Sequence, residues 1–278
     1  MSDARPDPFR TRWLPRRVAL LALVVAWMAL LLFVPLGSLG VGVWTFGPLA
    51  VLDQIGEAGG WPALGRTVVV AIVSVVLNGV VGVAGAITLV RHRFWGRRLL
   101  DMLVDLPLAV SPVMTGLAFL LVFGRGGLAE PLLSALGWKI TFAFPSLVLA
   151  TVFVTLPFVL REVSHVLVEL GTDEEAAAAT LGASSRQTFW RITLPNIRHG
   201  LTYGSTLTLA RALGEFGAVL VVGGAIEGRT DTATTFIFTA VDERHEPAAY
   251  GMALILAALS MAFLVVLERL KRRQARET

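Results

Sequence analysis

The chain has 278 residues, of which 55% are hydrophobic and 16% are charged, and its mean hydropathy is +0.72. Because a soluble domain carries about a quarter charged residues, this composition argues against a soluble enzyme and favours a membrane protein. The absence of cysteine excludes disulfides, thiolate zinc sites and iron–sulfur clusters. The formal charge of +4 does not indicate nucleic-acid binding, since the basic residues lie between apolar runs.

In chain order, six apolar segments are long enough to cross a bilayer, which takes roughly 20 helical residues. The first follows a basic stretch, as a signal peptide does. The apolar core of this segment is longer than that of a signal peptide, and no A-x-A cleavage site follows it. We therefore expect an uncleaved membrane anchor. The predicted spans are Val18–Leu39, Thr67–Val90, Leu99–Phe123, Phe142–Leu160, Leu201–Val222 and Ala248–Leu267.

The distribution of lysine and arginine predicts the orientation in the membrane. Residues 1–17 hold five, residues 91–98 hold four, residues 161–200 hold four and the tail after the last span holds five, whereas the opposite loops together hold five. Since positive residues accumulate in cytoplasmic loops, we predict that both termini are cytoplasmic. On the outer side, residues 223–247 hold five acidic residues and two arginines, so we expect an anion to meet net negative charge there.

Small residues recur at helical spacing in two of the predicted spans. In lipid such residues let helix backbones approach closely, so both groups indicate packed helices. A phosphate-binding glycine loop would need a preceding strand, and the glycine group lies within an apolar run of helical length. The two groups are Gly79, Gly82 and Gly85 in the second span, and Ala210, Gly214 and Ala218 in the fifth.

The longest polar segment is the loop of residues 161–200 between the fourth and fifth spans. Thr172 and Glu175 have the spacing of a capping box, and three acidic residues at positions 173–175 suit the positive end of a helix dipole. This pattern predicts a short alanine-rich helix that begins at Asp173 and stops at Gly182.

A second helix is predicted directly after the first. Ser184 and Gln187 repeat the capping pattern, so this helix should begin there and run toward Pro195. The alanines of the first helix allow two interpretations. With little side-chain bulk the helix could fit a groove on another protein, or it is an ordinary surface helix of high propensity.

The sequence of this loop resembles the EAA loop of ATP-binding-cassette (ABC) importer permeases. In that family the loop forms a coupling helix that docks on the nucleotide-binding subunit. The resemblance implies coupling roles for Glu174, Glu175, Ala176, Ala177, Leu181, Gly182 and Ala183. Glu175 lies one residue further from Gly182 than in the family pattern. The residues that carry the resemblance are Glu175-Ala176-Ala177, Gly182-Ala183, Phe189, Ile192 and Leu194-Pro195.

Three further motifs are similar to those of sulfate and molybdate permeases, and most of all to one of the two unlike permease subunits of sulfate/thiosulfate importers. They are Asp105-Leu106-Pro107-Leu108-Ala109-Val110-Ser111-Pro112, Thr193-Leu194-Pro195-Asn196-Ile197-Arg198, and Arg211-Ala212-Leu213-Gly214-Glu215-Phe216-Gly217-Ala218-Val219. The resemblance implies a second, different permease chain, two ABC ATPase subunits and an extracytoplasmic sulfate-binding protein, assembled in the bacterial cytoplasmic membrane.

Charged residues within or beside spans are costly and usually face the bundle interior or water. Asp101 and Asp105 follow Arg97 and Arg98, and we expect the carboxylates to pair with these arginines at the membrane edge.

In the fifth span Arg211 and Glu215 lie one helical turn apart and can pair. Two interpretations remain open: Arg211 stabilises an anion in the translocation path, or the pair serves only to hold the helix in place. Ser111 and Thr115 are further candidates for the path, against ordinary helix-to-helix hydrogen bonds.

No catalytic or metal site is expected. A phosphate-binding Gly-x-x-x-x-Gly-Lys motif does not occur, and the lysines are Lys139 and Lys271. The chain should therefore bind no cofactor, and any ATP should be used by a partner subunit. Glu162 and His165 have the spacing of half a di-iron site but lack a second copy.

These observations together predict an all-α integral membrane protein with six transmembrane helices. The resemblance implies the type I ABC importer permease (MetI-like) bundle. We expect a cytoplasmic segment 1–17, a permease domain 18–267 that includes the coupling loop 161–200, and a basic cytoplasmic tail 268–278. The predicted function is sulfate/thiosulfate import without an ATPase site of its own. The alternatives are a molybdate/tungstate permease and an ion-coupled secondary anion transporter.

Overall fold

The structure is a computed structural model that describes the backbone of residues 8–274 and the side chains of residues 18–269. The described residues form thirteen α-helices and one π-helical turn. The helices are α1 Pro8–Phe46, α2 Pro48–Glu57, α3 Gly60–Arg91, α4 Arg97–Ala109, α5 Pro112–Phe123, α6 Glu130–Ala135, α7 Phe144–Leu170, α8 Asp173–Thr180, α9 Ser185–Thr188, α10 Leu194–Leu213, α11 Gly217–Gly223, α12 Ala233–Asp242 and α13 Glu246–Gln274; the π turn is Phe189–Thr193.

Four of the predicted spans are single helices long and apolar enough to cross a membrane, namely α1, α3, α7 and α13. Helix α1 begins at Pro8, inside the predicted N-terminal segment 1–17. Residues 1–7 and 275–278, which belong to the predicted terminal segments, lie outside the described residues.

The other two predicted spans are each broken into two helices. α4 and α5 meet at an angle of 117°, and the helical stretch that ends at Leu213 meets α11 at 58°. The first break has a clear cause, since a residue before proline is disfavoured in helical conformation and Ser111, before Pro112, has ψ of 139°. Pro107, in contrast, lies inside α4 without ending it.

The centre of the bundle is the packing of α3, α7 and α10. At Gly82 an added Cβ would lie 2.9 Å from the Cβ of Val159, and at Gly204 it would lie 2.7 Å from the Cα of the same residue. The prediction of close packing is thus confirmed for Gly82. Gly79 and Gly214, in contrast, have no neighbour that an added Cβ would meet within 4 Å. Gly204 is a packing residue that the spacing did not indicate.

The bundle has two ends, one of which carries α8. At the opposite end the loop before α12 is tied to the start of α3. The guanidinium of Arg66 donates to the backbone oxygen of Asp231 at 2.8 Å and pairs with its carboxylate. The Ala233 amide donates to the Thr67 hydroxyl at 2.7 Å. These contacts fix the loop against the core.

Candidate functional site

The short helix predicted after residue 172 is present as α8, which packs against α9 and the π turn. Gly182 follows it with a φ of +83°, a left-handed conformation that favours glycine. Ser184 and Gln187 form the predicted capping box, in which the Ser184 backbone amide donates to the side-chain oxygen Oε1 of Gln187 at 2.8 Å. The helix, the glycine turn and the start of the second helix are therefore confirmed, and the second helix continues through the π turn and past Pro195 into α10.

The inner side of α8 is fixed by Glu175. Its Oε2 lies 3.0 Å from Nε of Arg91, the last residue of α3, and its Oε1 accepts a hydrogen bond of 2.9 Å from Thr193 in the π turn. Arg91 also donates to the carbonyl of Leu167 in α7 at 3.1 Å. One carboxylate thus connects α8 to the bundle core.

The predicted capping box at Thr172 is wrong. Thr172 precedes α8 as expected, but among the described residues its side chain makes no capping hydrogen bond. Thr172 has ψ of 0° instead of the extended value typical of an N-cap, and Glu175 is turned toward Arg91 instead of back to the Thr172 amide. The neighbouring Glu174 receives a hydrogen bond from Asn196 at the start of α10.

The exposed residues of α8 include three alanines with little side-chain bulk. Ala176 and Ala177 are exposed, and Leu181, directly after the helix, is 88% exposed although it is a large apolar residue. Ala178 is buried on the inner side, and Ala183 is half-buried. A small-residue face next to an exposed leucine is suited to contact with a groove on another protein.

The acidic residues of α4 pair with a different arginine from the one predicted. Arg161 of α7 donates to Asp101 at 2.6 Å and to Asp105 at 2.7 and 2.8 Å. The expected pairing with Arg97 and Arg98 is wrong, because one turn of helix places both carboxylates on the side of α4 that packs against α7.

Arg211 and Glu215 pair as their spacing permits, with Nη1 2.6 Å from Oε2. The Glu215 side chain is 1% exposed, whereas that of Arg211 is 33% exposed. Glu215 lies in the break between α10 and α11, and its Oε1 accepts the Ala218 amide of α11 at 2.9 Å. The carboxylate therefore satisfies an amide at the start of α11, a role that sequence spacing did not reveal.

The hydroxyl-bearing candidates lie in and after the other break. Ser111 is exposed between α4 and α5. Thr115 is 2% exposed, and its hydroxyl has no hydrogen-bond partner among the side chains that the structure describes. Since α5 packs against α11, the two broken spans are neighbours.

Sequence reasoning missed the residues that hold α8 in place. Arg91 was counted only as a loop charge, and Thr193 and Asn196 only as parts of a motif. Arg91 and Thr193 lie 84 and 18 residues from their partner Glu175, and Asn196 lies 22 residues from its partner Glu174. A local sequence pattern does not predict pairs at such separations.

Comparison with known proteins agrees with this architecture. Residues 78–277 match the family of binding-protein-dependent transport system inner membrane components, and the chain belongs to this family. A bacterial alginate ABC transporter has a chain of the same fold, with a TM-score of 0.76 and 17% identity over 95% of this chain and 96% of that one. The MetNI methionine ABC transporter has a chain with a TM-score of 0.53 and 18% identity, over 77% and 94% of the two chains.

Several relatives by sequence are sulfate transport system permease proteins. The chain is 41% identical to the CysW protein of Synechococcus elongatus over 94% of this chain and 91% of the relative. It is 45% identical to the CysW protein of Escherichia coli over 73% and 69% of the two chains. To the CysT protein of Salmonella typhimurium it is 38% identical over 76% of each.

Proposed function

We propose that this chain is a permease subunit of an ATP-driven importer that carries sulfate, and thiosulfate with it, across the bacterial cytoplasmic membrane. The observation that carries this proposal is the construction of α8. Its inner side is tied to α3 by the pair of Arg91 and Glu175, while its outer side presents Ala177 and Leu181. A helix built in this way can transmit a movement imposed from outside to the bundle.

The proposed complex contains two ABC ATPase subunits, a second permease chain and an extracytoplasmic sulfate-binding protein. The ATPase subunits hydrolyse the ATP, and this chain binds no cofactor and catalyses no reaction. Relatives with two different permease names, CysW and CysT, support an unlike pair. The positive-residue count supports a cytoplasmic location of α8 and of both termini.

The proposed docking residues are Glu174, Ala176, Ala177, Leu181, Gly182 and Ala183. Glu175 connects them to the bundle through its ion pair with Arg91. Binding of ATP brings the ATPase pair together and moves α8, and Arg91 carries this movement into α3 and, through Leu167, into α7. Hydrolysis of the ATP returns the two ATPase subunits to their initial conformation. ATP bound to the ATPase pair thus favours one of two conformations of the bundle.

The proposed path for the anion runs along the two broken spans. Interrupted helices at membrane depth are tolerated where they line a cavity, and they mark binding sites in many transporters. Arg211 keeps part of its side chain exposed beside the buried Glu215, and Ser111 and Thr115 lie in the neighbouring span. We assign Arg211 to stabilise the passing anion and Glu215 to limit how tightly it is held.

Uptake of labelled sulfate in cells with and without the gene, with unlabelled thiosulfate and molybdate as competitors, tests this proposal. We expect gene-dependent uptake that thiosulfate blocks and molybdate affects little. Unchanged sulfate uptake with reduced molybdate uptake would instead favour the molybdate/tungstate alternative. Uptake that persists without ATP would favour an ion-coupled secondary transporter.

A further inference from the structure

A cavity of about 720 Å³ lies at the end of the bundle opposite α8. It is framed by the end of α5 at Phe123, by the segment from Arg125 to Phe142, and by the loop after α11 with Ile226 and Arg229. It therefore lies where the two broken spans end.

The walls of the cavity are connected to these spans by backbone hydrogen bonds. The Phe142 amide donates to the carbonyl of Val222 in α11 at 3.0 Å, and the Ala129 amide donates to the carbonyl of Val122 in α5 at 2.8 Å. The cavity thus belongs to the framework of the bundle and does not depend on a free loop.

Three cationic side chains line the cavity: Arg125 and Lys139 from the segment before α7, and Arg229 from the loop after α11. None of them forms an ion pair with any side chain of residues 18–269. The lining holds one carboxylate, Glu130, which accepts a hydrogen bond from the Gly126 amide. The lining consequently has a net positive charge.

The two acids nearest to Arg229 along the chain, Glu227 and Asp231, are not part of the cavity lining, and Asp231 pairs with Arg66. Glu227 lies two residues before Arg229, but its Oε1 lies 3.5 Å from the position of a Cβ added to Gly59. The sequence-based expectation of net negative charge for residues 223–247 therefore does not describe this cavity. Among the described side chains Arg229 forms no ion pair with those acids, and it lines the cavity together with the two cations of the preceding loop.

We propose that this cavity is an entry site for a small divalent oxyanion. Clefts lined by charge of one sign with low-dielectric walls concentrate counter-ions, by about tenfold or more. A cavity of this volume exceeds the size of one such anion many times, so the anion is held with its water by electrostatic attraction. Its position at the ends of α5 and α11 puts the site at the start of the proposed path. That the anion is sulfate rests on the proposed function, whereas its charge rests on the cavity.

The natural lack of cysteine permits a direct test in the assembled complex in membrane vesicles. Ser134→Cys places a thiol in the cavity lining, and its labelling rates with an anionic and a cationic methanethiosulfonate reagent are measured on this chain. Leu128→Cys, in the same segment, 88% exposed and outside the lining, is the matched control. The ratio of the anionic to the cationic rate at each position reports the local potential.

We expect this ratio to be about tenfold higher for Ser134→Cys than for the control. It should fall when Arg125→Gln or Lys139→Gln is added, and in about 1 M salt, where screening acts over about 3 Å. Sulfate should slow labelling of Ser134→Cys more than chloride at equal ionic strength. The charge variant Arg244→Gln, outside the lining, should leave the ratio unchanged.

Equal ratios at the two positions, or no greater protection by sulfate than by chloride, would overturn the proposal. Protection by the binding protein without protection by sulfate would also overturn it and would identify the cavity as a protein-docking surface. Because labelling requires no transport, these outcomes are independent of whether the importer carries sulfate.

Discussion

Arg91 and Glu175 lie 84 residues apart in the sequence and form an ion pair in which Nε lies 3.0 Å from Oε2. Their side chains are 14% and 23% exposed, so water screens the pair less than it would a surface pair. Since Arg91 also bonds the Leu167 carbonyl, one guanidinium holds α3, α7 and α8 together. A displacement of α8 is therefore passed to two helices of the core at once.

Arg91→Ala should separate ATP hydrolysis from transport. Hydrogen bonds to charged groups contribute about 1.5–3 kcal/mol each, so we expect sulfate uptake to fall about tenfold or more. The docking side of α8 is unchanged, and the ATPase subunit should still copurify. Uptake and copurification are measured on the same membranes.

Arg93→Ala is the matched control, because Arg93 is exposed two residues further along. It should transport normally. Loss of the ATPase subunit from Arg91→Ala, or an equal loss of uptake in both variants, would contradict the transmitting role of Arg91.

Gly82→Ala and Gly79→Ala should have opposite effects on stability. Both remove a glycine from α3, which favours the helix by about 1 kcal/mol. At position 82 the new methyl group would lie 2.9 Å from Val159 side-chain atoms, whereas at position 79 it meets nothing within 4 Å. Overpacking costs about 1–3 kcal/mol, so only Gly82→Ala should lower the melting temperature of the purified complex. A lower value for Gly79→Ala alone would refute this packing.

Glu215→Gln and Glu215→Ala separate charge from helix capping. Glutamine keeps an oxygen that can accept the Ala218 amide but removes the negative charge beside Arg211. We expect Glu215→Gln to assemble normally and to transport poorly, and Glu215→Ala to assemble poorly as well. Complex yield and uptake are the two measurements. Equal loss of assembly in both variants would assign the pair a purely structural role.

Asp231 is predicted to make the loop before α12 sensitive to pH. Burial raises the pKa of its carboxyl, although Arg66 opposes this effect. A raised pKa in the folded state means that the carboxyl contributes stability below its unfolded pKa of about 3.9. This contribution is lost as the pH rises through the folded pKa.

Asp231→Asn should therefore match or exceed the wild type in stability near pH 7 and show a flatter pH dependence above pH 4. Arg66→Ala should be destabilising, since it leaves a buried carboxylate unpaired. Thermal unfolding of the complex between pH 4 and 8 measures both. A large loss for Asp231→Asn at pH 7 would show that the ion pair outweighs burial.

The sequence predicts the spans and α8 well, because both depend on local patterns. Apolar length locates the membrane helices, and Ser184 and Gln187 mark the start of α9 by their spacing alone. The 117° break between α4 and α5 is indicated by Pro112, but its angle depends on packing against α7 and α11.

Pairs between distant residues could not be predicted in this way. In the sequence, the arginine close to Asp101 is Arg97. In the folded chain, Asp101 instead accepts a hydrogen bond of 2.6 Å from Arg161, which lies 60 residues away. The positive charge of the outer cavity could not be predicted from the sequence for the same reason. Counting along residues 223–247 gives a net negative charge, whereas the fold combines Arg229 with Arg125 and Lys139.

We infer that α8 transmits the action of a separate ATPase to sulfate transport. ATP-dependent sulfate uptake into proteoliposomes that contain the complete complex tests it most directly, with Ala177→Trp on the exposed side of α8 and Arg93→Trp as the control at the same end of the bundle. We expect Ala177→Trp to release the ATPase subunit and abolish uptake, whereas Arg93→Trp should behave as the wild type. Full ATP-dependent uptake by Ala177→Trp would contradict it.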